Sequence, residues 1–169
     1  MKKILFYTFS MFALFSCSSD DPSPMEISEP EFTFDVTGAI NRTLSGKGII
    51  YHETTTPVKN YKGEDTQITS ILIIAQDQGD QVSFGVTLEG SQVGAGNYEV
   101  GTDIFSFYNA FMNFADNISD TTTTTYKSKS GSINISSRGQ ITSGSVNVTC
   151  VGSGGDVTIT GEFHAVNVK

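Results

Sequence analysis

The chain has no tryptophan, two cysteines and four prolines among 169 residues. Two cysteines cannot build a disulfide scaffold. Only 10 Lys and Arg stand against 18 Asp and Glu, for a net charge of −8. Such a surface repels phosphate, so a nucleic-acid partner is not expected. Without tryptophan the usual flat platform for sugars is missing; Tyr51, Tyr61 and Tyr98 are read instead as ordinary strand and loop packing. No serine sits in a G-x-S-x-G turn, and Gly94-Ala95-Gly96-Asn97 lacks the lysine of a phosphate loop. The two histidines, His52 and His164, lie far apart without ligand spacing, so no metal and no cofactor are expected. Cys150 shares the phase of Val146 and Val148, which points it inward as a small apolar residue. What remains is ample core material: 37% apolar residues, 12 Phe, 6 Tyr and 17 Gly.

The longest uncharged apolar run is Ile4 to Phe15, preceded by Met1-Lys2-Lys3. As a helix it would span ~18 Å, too short for a ~30 Å hydrocarbon core, and it reads as the apolar region of a signal peptide. Its exit, Leu14-Phe15-Ser16-Cys17, resembles the lipobox of bacterial lipoproteins, although Phe15 stands where that family usually has Ala or Ser. The resemblance implies cleavage after residue 16, diacylglycerol on the Cys17 thiol and attachment to a membrane. The residues that follow, Ser18, Ser19, Asp20 and Asp21, are similar to the export signal of Bacteroidota surface lipoproteins. That similarity implies outer-membrane attachment and display at the cell surface, with the periplasmic face as the alternative. Residues 17–31 hold three of the four prolines and several acids, and read as a tether between the lipid and the domain at 32–169.

From Phe32 onward apolar residues alternate with polar ones. Phe32, Phe34 and Val36 share a phase, as do Val82, Phe84, Val86 and Leu88, and Val157, Ile159, Gly161, Phe163 and Ala165. Leu44–Glu53 reads as one strand with a bend at Gly46 or Gly48, and 54–66 reads as a loop. Residues 67–76 are apolar on both faces, which suits a central strand. Gln78-Gly79-Asp80, Ser137-Arg138-Gly139 and 152–155 read as turns. The pattern predicts an all-β domain, an antiparallel β-sandwich or a flattened, partly open β-barrel of about 9–10 strands. The C-terminal part, 127–166, is similar in its strand-and-turn pattern to small Bacteroidota lipoproteins and carries no site residues.

Asp103–Asn117 is the most aromatic stretch and fits both helical and strand spacing; strand is preferred among β neighbours. As a strand it puts Phe105, Phe107 and Phe111 on one face and Tyr108, Met112 and Phe114 on the other. Phe105, Phe107, Tyr108, Phe111 and Phe114 are the candidate apolar surface for a ligand or partner. Asp116, Asn117, Ser119 and Asp120 read as a polar connection without the spacing of a calcium loop. Asp120-Thr121-Thr122 is similar to the O-glycosylation motif of Bacteroidota exported proteins, which makes Thr121 a candidate acceptor. No catalytic constellation emerges. The expected role is binding or structural association with an envelope protein or ligand. A calycin-like carrier of an apolar molecule and a carboxylate-based hydrolase stand as alternatives.

Overall fold

The structure is a computed structural model that describes residues 29–90, 92–101, 109–119 and 122–168. It is all-β and antiparallel, with ten strands in one continuous sheet. They are β1 (Glu31–Gly38), β2 (Arg42–Gly46), β3 (Ile49–Lys59), β4 (Asp65–Asp77), β5 (Asp80–Glu89), β6 (Gly96–Glu99), β7 (Asn109–Ser119), β8 (Thr122–Ser137), β9 (Ile141–Gly152) and β10 (Gly155–Asn167).

The ladders run β3–β4–β5–β7–β8–β9–β10 by antiparallel neighbours. On its second edge β10 pairs first with β1, from Val157 to His164, and then in parallel with Ile50 and Tyr51 of β3. The sheet therefore curls back on itself as a flattened, partly open barrel, not a clean one, whose final seam is only two residue pairs long. Most of this meander needs only tight turns; between β5 and β7 the chain leaves it to lay β6 against β8. Gln78 and Gly79 both take positive φ, 47° and 95°, which gives the β4–β5 hairpin the twist its strands require.

Period-two alternation fills the interior. Phe34, Phe84 and Phe163 are fully buried, with edge-to-face ring centroids 5.9 and 5.0 Å apart. Ile133, Ile135, Val146, Val148, Ile159 and Ala165 close around them. Cys150 is also buried, and desolvation pushes its thiol up to about 12. β4 is paired along both edges, as its two-faced apolar run implied. Ile71, Ile73 and Ala75 point inward, while Leu72 and Ile74 are half-buried outside.

Two expectations need correction. Leu44–Glu53 is not one strand: the chain breaks at Lys47-Gly48, and β2 serves β1 while β3 serves β4. Residues 54–66 are not a loop either. Thr54–Lys59 and Asp65–Gln67 continue the β3–β4 hairpin beyond the end of β5, whose last pair is Ile68 with Glu89. Three threonines favour extended backbone, and Thr55 meets Thr69 at 3.3 Å across the pair. Pro57 is tolerated for a reason of geometry. The Tyr51 carbonyl accepts from Val168 N on the β10 side, and backbone groups alternate sides along a strand. The Pro57 nitrogen thus faces the unpaired edge, where no ladder bond is lost and strand addition is discouraged.

Phe163→Ala should cost ~3–5 kcal/mol in urea unfolding, because the Phe84 ring loses its partner and a large cavity opens in the core. In a Cys17→Ser chain, Cys150 should resist Ellman's reagent until unfolding; labelling at the rate of a free peptide thiol would contradict this packing.

Candidate functional site

The aromatic segment is strand over its described part, Asn109–Ser119, and the period of two divides its residues. Ala110, Met112, Phe114 and Asp116 are buried; Phe111, Asn113 and Ala115 are half-buried on the outside. Phe114 is 0% exposed and stacks on Tyr126 at 5.7 Å. It therefore belongs to the core and not to the surface on which Phe111 lies. Phe105, Phe107, Tyr108 and Thr121 lie outside the described residues, as do Cys17, Ser18, Ser19, Asp20 and Asp21.

Phe111 is seated over a glycine. The register places His52, Leu72, Gly85 and Phe111 in one row across β3, β4, β5 and β7. A Cβ on Gly85 would lie 3.1 Å from the Phe111 ring and would collide with the Ile71 carbonyl. The glycine thus leaves room for the ring close against the sheet. The next row holds Ile50, Ile74, Ser83 and Asn113. Ile50, Leu72, Ile74 and Phe111 form an apolar stripe bordered by His52, Ser70, Gln76 and Thr87. The outer face of β1, β10 and β9 is different. There Thr33, Asp35, Thr160, Glu162, Ser143, Ser145 and Asn147 stand in register.

Each rim of the barrel carries an arginine clamp. Arg42 of β2 pairs with Asp80 of β5 at 3.1 Å and with Asp116 of β7, and its guanidinium lies 5.6 Å from the Phe114 ring centre. Asp116 keeps 1% and Asp80 8% of its side-chain surface, while Arg42 keeps 33%. At the other rim Arg138 pairs with Glu53 at 2.8 Å, donates to the Val93 carbonyl and covers the Tyr51 ring at 5.6 Å. The Tyr51 hydroxyl donates to the Gly139 carbonyl at 2.8 Å. The guanidinium fork and flat face are both used at each place, which a lysine could not reproduce. These clamps fasten strands that are remote in sequence. Asp116, read from sequence as part of a polar connection, is one jaw of the first.

The remaining polar candidate is a shallow groove on the outside of β10. His164 Nδ1 and Ser143 Oγ are 2.8 Å apart, with Glu162 two residues along the same face and Glu31 opposite. The pair is half-buried in an open groove, and Ser143 lies within the β9–β10 ladder, whose backbone groups are engaged in strand pairing. His52 is exposed at the end of the apolar row. Among the described residues no three of His, Cys, Asp or Glu converge as a metal site. Of the three tyrosines noted from sequence, Tyr51 is buried and Tyr98 packs against the core; Tyr61, at a hairpin tip, is 87% exposed.

No protein-family model, curated protein or solved structure matches this chain. Its site must be read from its own geometry. The alternation rule finds the Phe111 face, but the clamps carry no local signal, because 42, 80 and 116 meet only in the folded sheet.

Arg42→Ala leaves two carboxylates without their cation. The loss should be ~2–3 kcal/mol, below the ~3–5 of a fully buried pair because Arg42 keeps a third of its surface in water. A double-mutant cycle with Asp116→Asn in urea should return a coupling of ~1–3 kcal/mol, and zero coupling would dismiss the clamp.

Proposed function

We propose that this chain is a lipid-anchored domain of the bacterial envelope, held in the outer membrane by acyl chains on Cys17 and displayed at the cell surface. We infer that it acts by associating with another envelope component and not by catalysis. The observation that carries the association reading is the contrast between its outer faces. Ile50, Leu72, Ile74 and Phe111 gather on one wall, while the β1–β10–β9 wall offers hydroxyls, amides and carboxylates. Grouped apolar surface with a polar border is the usual character of a contact site. The anchor reading is supported by the cationic start, the apolar run and Cys17 with its acidic sequel. A carrier of apolar molecules would need room among the inward aromatics, and the level of Phe34, Phe84 and Phe163 is filled by their own edge-to-face packing.

Two measurements test this. Mass spectrometry of the protein extracted from membranes should find the diacylglyceryl mass on Cys17, and Cys17→Ser should leave the membrane fraction; retention of the serine form removes the anchor. On native gels of detergent-extracted envelopes, wild type should migrate in a complex larger than the monomer and Leu72→Lys as monomer, with thermal unfolding confirming that the variant is folded. Identical migration of the two removes the association face.

A further inference from the structure

Among the described residues the β3–β4 arm stands out as extended chain beyond the strands that flank it on either side. Residues 53–57 and Lys59 of β3 are exposed, and β5 ends before it can support the arm. A free two-stranded ribbon is marginal in water, so an arm that holds its shape needs bracing. This one has it at the tip. Asn60 Oδ1 accepts from Lys62 N at 2.9 Å and from Glu64 N at 3.0 Å, and Asn60 Nδ2 donates to Glu64 at 2.8 Å. Lys59 Nζ bonds Asp65 at 2.7 Å, and Asn60 and Glu64 close the backbone turn. The bracing serves no core. It holds up Tyr61, 87% exposed, with Lys62 5.5 Å from its ring centre.

The register also says which way the arm points. Ile50 and Tyr51 lie beside Val166 and Asn167 and run parallel to them, so β3 continues past the last residues of β10. Glu31 lies opposite His164, and β1 runs away from there in the reverse direction. The arm therefore extends beyond the end of β1 at which the chain arrives from Cys17. Lys59, the last strand residue before the tip, is eight residues past Tyr51, and Glu31 is three residues short of the Asn167 level, which sets the end of the arm ~36 Å from Glu31 along the strand direction, with the turn a little beyond. The fourteen residues from Cys17 to Glu31 can reach ~48 Å. Thiol and arm tip can therefore rest on one plane.

We infer that Tyr61 and Lys62 form a second, non-covalent foot of the domain on the lipid surface to which Cys17 is attached, fixing the attitude of the barrel over the bilayer. This rests on the anchored reading proposed above. Tyrosine suits the headgroup level, with an apolar ring and a polar tip, and the Lys62 ammonium held over that ring is a cation suited to lipid phosphate. One such pair would not hold a free protein. Anchoring makes the contact intramolecular, and a high effective concentration keeps a weak contact occupied.

The absence of tryptophan supplies the probe. Full-length acylated Tyr61→Trp and Val151→Trp are each incorporated into phosphatidylethanolamine and phosphatidylglycerol vesicles with brominated acyl chains. Both positions are exposed, and Val151 lies beside the β9–β10 hairpin at the opposite end, so neither change burdens folding. The indole of Tyr61→Trp should shift to the blue, lose about half its emission to bromine and become about threefold less accessible to iodide than in the Cys17→Ser background, where no vesicle is joined. That of Val151→Trp should stay open to iodide and untouched by bromine. If acylated protein floats with vesicles while Tyr61→Trp responds like Val151→Trp, or if bromine quenches both alike, the foot is overturned and the anchor stands. If acylated protein does not float, both fall.

Discussion

β10 is the strand on which the rest of the sheet depends. Its thirteen residues are laddered to β9 along one edge and divided between β1 and β3 along the other. That double pairing turns a meander into a flattened barrel, and it sets the tilt of everything else. It places Phe163 between Gly144 and the interior, where the ring meets Phe84. It also aligns β3 so that its first residues close the seam and its last ones overshoot it. The core and the projecting arm are two results of a single register. Shifting β10 by one residue would turn Phe163 and Ile159 to solvent and expose His164 and Glu162 to the core, a change too costly to compete.

The parts legible in the sequence are those where one face is dry and the other wet. β1, β5, β9 and β10 alternate cleanly because each divides inside from outside. The arm reads as a loop because it has no inside; threonine on both faces shows no period, and only β-branched content hints at extension. The break at Lys47-Gly48 is hidden for the opposite reason: Leu44, Gly46, Gly48 and Ile50 keep an unbroken period of two in the sequence, while the buried residues pass from Leu44 to Ile49 and Tyr51 on the other phase. The aromatic segment was legible as strand but not as site. Phe111 and Phe114 differ by three residues, an odd step that puts them on opposite faces, so no strand could offer both to one partner.

The arginine clamps show why buried charge was beyond sequence reading, and what it does here. A flattened barrel with a two-pair seam has open rims, and apolar plugs there would be exposed to water. A guanidinium covers an aromatic ring with its face while its edge satisfies carboxylates from neighbouring strands. Both jaws of the Arg42 clamp are nearly dry while the cation is partly wet. The arrangement discriminates sharply between a correctly and an incorrectly closed rim, because a misplaced strand would leave a carboxylate buried alone. Specific closure, more than net stability, is what such a pair contributes.

On the reading proposed above, lipid on Cys17 and a contact at Tyr61 would have a joint consequence for the apolar stripe. A domain on lipid alone would tumble within the reach of its chain, and Ile50, Leu72, Ile74 and Phe111 would face bilayer, solvent and neighbours in turn. The stripe lies on β3, β4, β5 and β7, the walls that carry or flank the arm. With the arm tip on the lipid surface, as proposed, those walls would stand upright from the membrane, and the stripe would face sideways, toward other components in the same plane. Association confined to two dimensions needs less intrinsic affinity, since the orientational search is already made. That suits a stripe of four half-buried side chains, far smaller than the interface of a stable complex in solution.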